Sequence, residues 1–298
     1  MHIENFEYFY QVAKAKSISK VAKNQHISQS ALSQQIQKFE ESLGVDLLER
    51  SNKGVTLTEI GQVVLKYSEN IMRTYSKMQE EIQSVEENIS IIKIQANYAI
   101  TDHALPCTLY KVKEQYGYHK YELTSNPSSD IVDNIANDIC DIGFINGDPL
   151  SDELHSEKVG SNTIVLISNT NGKTPDTIYL EDLFKFPLIT LNDKYEIKSI
   201  FKKELQYMNY EYDNLNIVFE TDSIEALKSS VVRGHGVGFI PYIAVKEELY
   251  RKRFKIVKIE DFNIVQDVYM ISKKGQSRNK SVNEFIEAFK VLGSNSFC

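Results

Sequence analysis

Cysteine is scarce in this chain, and what there is falls in no useful pattern. Cys107, Cys140 and Cys298 offer neither an even-numbered disulfide framework nor metal-ligand spacing. No apolar run of about 18 residues exists, so no segment is expected to span a membrane. The opening stretch MHIENFEYFY carries two acids and no basic n-region, unlike a signal peptide, and residence in the cytoplasm is the expectation. Catalytic signatures are missing as well: there is no G-x-x-x-x-G-K-[ST], no G-x-S-x-G and no H-E-x-x-H. GHGVG at 234–238 has the glycines of a phosphate loop, but it precedes an apolar strand. A dinucleotide loop follows a strand and opens a helix. Six histidines and three cysteines are scattered without a nucleophile–base pair. These absences argue against an enzyme, and neither a cofactor nor a metal is expected.

Acids are also missing from one place. Between Tyr8 and Lys38 there is no Asp or Glu, while Lys14, Lys16, Lys20, Lys23 and Lys38 are present. The whole chain is acidic, with net charge −7 over 298 residues. A basic patch on an acidic protein fits a small DNA-binding module joined to a larger body, and does not fit a protein that coats nucleic acid over its whole surface. Composition is otherwise that of a globular protein, 42% hydrophobic and 25% charged, and the length suits two or three domains.

The first helix reads from IENFEYFYQVAKAK, with Phe6, Phe9, Tyr10 and Ala13 on one face. Ser17 or Ser19 caps a short second helix that begins Ile18, Val21, Ala22. Ser28 caps a third, which turns Ala31, Leu32, Ile36 and Phe39 inward and ends at Gly44. Its outward positions are Gln29, Ser30, Ser33, Gln34, Gln37 and Lys38. Small polar side chains on one helix face let another surface come close, and the surface expected here is DNA. Gly54 permits a tight turn between two short extended pieces, a candidate β-wing. Thr58 then caps a long helix with apolar residues at Ile60, Val64, Tyr67, Ile71, Met78, Ile82, Val85 and Ile89. A stripe of that length, with nothing folded beside it in sequence, suggests pairing with a second copy of the chain.

From residue 90 the pattern changes to strands alternating with helices, which predicts βαβ units and a mostly parallel sheet. ISIIKIQANYAI is β-rich. The expected strands that follow include YHKYELTSN, CDIGFINGD, TIVLIS, PLITL, LNIVFET, GVGFIP and VQDVYMISKKG. Cys140, entering an apolar strand, reads as a buried small hydrophobe.

SISKVAKNQHISQSALSQQIQKFEESLGVDLLER followed by GVTLTEIG resembles the LysR-type transcriptional regulators. VVRGHGVGFIP resembles the family's glycine-rich turn before an apolar strand, and CDIGFING its first-lobe strand. Val21-Ala22 stands where the family has Ala-Ala, Ser30 where Pro is common, Phe39-Glu40 for Leu-Glu and Leu48 for Phe. The third helix lacks the arginine with which many members read guanine, which leaves the base preference open. The resemblance implies a mixed α/β chain. It has a winged helix-turn-helix over 1–58, a dimerisation linker helix over 59–89 and a two-lobe effector-binding domain over 90–298. That domain resembles the periplasmic solute-binding proteins, with lobe 1 at about 90–162 and 268–298 and lobe 2 at about 163–267. The implied function is sequence-specific regulation of transcription, of a neighbouring gene and of the chain's own promoter. A dimer or tetramer would bind a pseudo-palindromic operator under control of a small molecule held between the lobes. Effector binding would change the angle between lobes and re-space the DNA heads.

Gln29, Ser30, Ser33, Gln34 and Gln35 are then expected near base edges, where Gln can bond bidentately to adenine. Lys38, Arg50 and Lys53 are expected on phosphates or, from the wing, in the minor groove. Ligands in α/β sheets sit beyond the carboxyl ends of strands. Here those ends supply Asn97, Tyr98 and Ala99, then Ser125, Asn126 and Ser128, then Asn146, Thr190 and Asn192, with Gly236 and Val237 from the glycine turn. Ala99 aligns where members often carry Ser or Thr. Ser125 and Asn126 read equally well as helix caps, and His103 and Arg233 as either crevice or surface charges. Alternatives of other kinds are a redox-sensing regulator of the same architecture using Cys107 and Cys140, and an α/β enzyme.

Overall fold

The computed structural model of the chain describes residues 2–51, 54–87, 90–117, 119–275 and 280–293. It divides into two compact units, Met1–Asn88 and Ile89–Cys298.

The first unit begins with α1 (Ile3–Ala15), α2 (Ile18–Asn24) and α3 (Gln29–Leu43). Ser17 caps α2, accepting from the Lys20 N–H at 3.3 Å, and Ser28 caps α3, accepting from Ala31 at 3.1 Å. Gly44 closes α3 in the left-handed conformation that glycine adopts without cost. The core gathers Phe9 and Val12 of α1, Ile18 and Val21 of α2, and Leu32, Ile36 and Phe39 of α3. Three details depart from the periodic reading. Val12 takes the buried place expected of Tyr10, and Ala31 lies in solvent. The third is Glu40, a carboxylate buried beneath α3. It accepts the N–H groups of Leu47 and Leu48 at 2.8 and 3.0 Å, which would otherwise be stranded in the turn.

That turn leads into β1 (Leu48–Ser51) and β2 (Gly54–Leu57), an antiparallel pair that forms the expected wing. Val55 donates to the Lys16 carbonyl at 3.3 Å, tying the wing to the end of α1. The long helix α4 (Glu59–Glu87) starts on Thr58, whose hydroxyl accepts the Gly61 N–H at 2.9 Å and donates to Asp46 O at 2.8 Å. A side chain at Gly61 would put Cβ 2.1 Å from the Leu47 carbonyl oxygen, so only glycine lets the helix pass this close. Val64 and Leu65 pack against the core of the head.

The second unit runs β3 (Ile91–Ala96), α5 (Tyr98–His103), α6 (Leu105–Gln115), β4 (Lys120–Ser125), α7 (Ser128–Ala136), β5 (Ile142–Asn146) and β6 (Leu154–Asn169). It continues with β7 (Thr177–Ile178), β8 (Leu188–Leu191), α8 (Ile197–Tyr207), β9 (Ile217–Thr221), α9 (Ile224–Val232) and β10 (Val237–Pro241). Last come α10 (Lys246–Tyr250), β11 (Phe254–Ile259), β12 (Ile264–Lys273) and α11 (Lys280–Leu292). The strands order as β4-β3-β5-β12-β6-β10-β8-β9, with β11 beside β6 and β7 beside β11. The strands at each end pair in parallel: β3 with β4 and β5, and β8 with β9 and β10. In the middle, β6 and β12 run antiparallel to each other and to their neighbours. The sheet is therefore mixed rather than mostly parallel.

The structure corrects the sequence reading at two more points. Asn97 ends β3 by capping α5, accepting the Ile100 N–H at 3.0 Å, so NYAI is helical. The strand read from TIVLIS is the second half of a 16-residue strand that begins at Leu154. That length lets β6 serve two cores. One contains Ile92, Phe144, Phe285 and Phe289; the other contains Ile167, Leu188, Phe201 and Phe239. These are the two lobes, and β6 and β12 cross between them.

Candidate functional site

On the head, α3 presents Gln29, Ser30, Gln34, Gln35 and Lys38 to solvent, with Ser33 half-buried beside them. The Ser30 hydroxyl lies 3.0 Å from the hydroxyl of the cap, Ser28. Neither α2 nor α3 has an acid in its first turn. Lys16, Lys20 and Lys23 are exposed as well. The arrangement is an exposed, acid-free helix N-terminus on a head that also carries a two-stranded wing. Lys53 and the side chain of Arg50 lie outside the described residues.

In the second unit, the crevice between lobes is lined by Asn97, Tyr98, Ala99 and Asn146 from lobe 1. Lys194, Tyr195, Glu196, Ile197 and Pro241 line it from lobe 2, and Asn162 and Gln266 from the two crossing strands. Four of the expected residues therefore meet in one pocket. Ser128 stands at its edge, where its N–H donates to Glu196 Oε1 at 2.8 Å and its hydroxyl accepts from the Asn146 N–H at 3.2 Å. Tyr98 and Tyr195 approach with ring centroids 5.5 Å apart, and the Lys194 ammonium lies 4.3 Å from the Tyr98 centroid.

The remaining expected residues do not line this pocket. Ser125 pairs with Ala96 in the sheet, and Asn126 donates its N–H to Ala96 O. Neither caps α7, whose cap position is Pro127. Thr190 is buried beside Tyr212, whose phenol is pushed up in pKa by burial. Asn192 caps the turn at 193–195, accepting from Lys194 N at 3.2 Å. Gly236 is a packing position: a Cβ there would sit 2.4 Å from Pro187 O, and Val237 donates to that same carbonyl. Arg233 is exposed. His103 is half-buried; burial first, and the Lys228 ammonium second, push its pKa below 6.5 against the opposing effect of Asp102, Glu225 and Glu248.

Sequence reasoning missed Lys194, Tyr195 and Glu196. The signal was available, because NDKYE directly follows an apolar strand end. Asn162 and Gln266 had none, since each lies within a strand. Cys107 is exposed on α6 and Cys140 is buried in a small cluster with Ile131, Ile145 and Leu154, while Cys298 lies outside the described residues. Among the described residues no helix is long and apolar enough to cross a membrane, and no three His, Cys, Asp or Glu side chains gather as a metal site would require.

Residues 3–62 match the family model for the bacterial regulatory helix-turn-helix protein of the lysR family, and residues 87–292 that for the LysR substrate binding domain. A probable RuBisCO transcriptional regulator of Thalassiosira pseudonana is 27% identical, over 97% of this chain and 97% of its own. One from Gracilaria tenuistipitata var. liui is 28% identical, over 94% and 93%. Among solved structures, full-length CbnR in complex with its target DNA superposes with a TM-score of 0.76 at 18% identity, over 98% of this chain and all of that one. A full-length OxyR variant from Pseudomonas aeruginosa gives 0.64 at 17%, over 99% and 96%. The helix-turn-helix head and the two-lobed α/β unit are thus the two parts of one known architecture, and the chain belongs to the LysR family of DNA-binding transcriptional regulators with an effector-binding domain.

Proposed function

We propose that α3 enters the major groove of an operator, with Gln29, Ser30, Ser33, Gln34 and Gln35 near base edges, and that the crevice between lobes holds the effector. The observation that carries this is the exposed, acid-free start of α3, in a head that also bears a wing, on a chain whose net charge is −7. Lys38, Arg50 and Lys53 supply the sequence-independent phosphate term, which short-range base contacts need in order to act.

The apolar stripe of α4 supports pairing of two chains. Ile60, Tyr67, Met78 and Ile82 are 49, 61, 46 and 53% exposed, a row that a single chain leaves in water. Val85 and Ile89 fall outside the described side chains. Two heads related by a two-fold axis read a pseudo-palindrome. The chain acts in the cytoplasm, where its operator is, and by binding rather than by catalysis. The effector works by binding two arrangements of the assembly with different affinity.

Fluorescence anisotropy of the purified protein on its own upstream DNA, against scrambled DNA and across a salt series, tests the reading. Specific binding that weakens steeply with salt is expected. No binding even at low salt would remove the DNA-binding assignment of α3.

A further inference from the structure

The crevice is narrow, with room for about one ordered water between its walls. What fills it is the turn after β8, and the centre of that filling is Glu196. Its carboxylate crosses from lobe 2 to lobe 1 and uses both oxygens there. Oε1 accepts the Ser128 N–H at 2.8 Å and Oε2 accepts the Asn146 side-chain amide at 3.1 Å. Asn146 in turn donates its backbone N–H to the Ser128 hydroxyl at 3.2 Å, closing a three-residue ring. Ser128 is the first residue of α7, a nine-residue helix whose free N–H groups and dipole favour an anion at this end.

Three further observations separate this contact from an ordinary surface bond. Glu196 adopts φ +60°, a left-handed conformation that costs a residue with a Cβ and that Gly or Asn would take cheaply. Its side chain makes no cap bond to its own helix α8, so the conformation is not repaid locally. The same pocket also holds two buried oxygens with no hydrogen-bond partner, Asn146 Oδ1 and Asn162 Oδ1. Asn162 is only 3% exposed. Asp130, exposed in the first turn of α7, opposes an anion there.

We propose that Glu196 is a tethered stand-in for a ligand carboxylate: it latches lobe 2 onto the start of α7, and a carboxylate-bearing effector opens the latch by taking the same two donors. The proposal rests on the crevice being the effector site. It adds the residue that guards it and the anionic group that must displace that residue. Lys194 completes the turn's hold by placing its ammonium over Tyr98.

The test uses the full-length protein, Glu196→Ala, and acetate as the probe, with chloride making up constant ionic strength. Amide hydrogen exchange is read at Ser128 and melting temperature is read alongside. In Glu196→Ala the Ser128 amide is expected to exchange about tenfold faster than in the unaltered protein, the size of a lost charge-assisted hydrogen bond. Acetate is expected to restore protection and raise the melting temperature of the variant while leaving the unaltered protein unchanged. Equal acetate responses in both proteins, or none in the variant, overturn the latch. Should Glu196→Ala fail to fold, Glu196→Gln decides: its amide has one acceptor oxygen for two donors, so faster exchange at the Ser128 N–H or the Asn146 side-chain amide supports the latch and unaltered exchange at both removes it. Operator binding by the unaltered protein is measured separately, so a failed latch with operator binding intact leaves the functional reading standing.

Discussion

Glu40 shows how one side chain can hold a joint together. Two backbone N–H groups, of Leu47 and Leu48, have this carboxylate as acceptor at the point where α3 hands over to the wing. Glu40→Ala would strand both in an apolar core. The expected loss is about 2–6 kcal/mol, from a cost of ~1–3 kcal/mol for each of two unsatisfied buried groups. A melt of the full-length protein checks it, and an unchanged melting temperature would show that water satisfies the turn. His103 provides a second case. Its pKa lies below 6.5 in the folded state, so the unfolded chain binds the extra proton first. Stability is therefore expected to fall as pH drops from about 6.5 towards the lowered value, because ∂ΔG/∂pH is positive where the unfolded state carries more protons. His103→Gln is expected to flatten that slope in melts between pH 7 and roughly 5. Neither role was legible in the sequence. Glu40 continues the inward phase of Leu32 and Ile36, but nothing local names the groups its charge would meet, and His103 was balanced between crevice and surface, because partners seven or more than a hundred residues away are invisible to local pattern.

The helices were the most legible elements. Ser17, Ser28 and Thr58 cap α2, α3 and α4 as their residue types predict, since a cap depends on a hydroxyl and an N–H three residues on. On α3, Lys38→Ala is expected to weaken operator and scrambled DNA alike and to reduce the salt slope by about one, the signature of a lost phosphate contact. Gln34→Ala is expected to cost about 1–3 kcal/mol on the operator only, the price of one base contact. Along α4, the sequence stripe and the exposed row in the structure agree at Ile60, Tyr67, Met78 and Ile82. Met78→Glu with Ile82→Glu places two charges in that seam. Sedimentation velocity is expected to show a shift to smaller species with the helical signal retained; an unchanged species would move the interface off α4. The strands were read less well. β7 and β11 carried no turn-bounded alternation strong enough to announce them, and the first half of β6 is half-exposed with no apolar run.

At the scale of the whole molecule, an acid-free segment from Tyr8 to Lys38 stands out on an acidic chain, and the chain divides into two units with separate cores. The amino-acid order by itself announced the helices of the head and which face of α3 stays polar, and it marked the change to α/β alternation. These follow from interactions between residues one to five apart, which caps and hydrophobic periodicity record directly. The tertiary structure alone decided that the sheet is mixed, that β6 and β12 cross between lobes, and that Glu196 reaches Ser128 and Asn146. Those last partners lie 68 and 50 positions away. Strand-end residues announce themselves as candidates one by one, but which of them share a pocket depends on strand order and on the turn that follows each strand. Packing sets both, through contacts that no local spacing encodes.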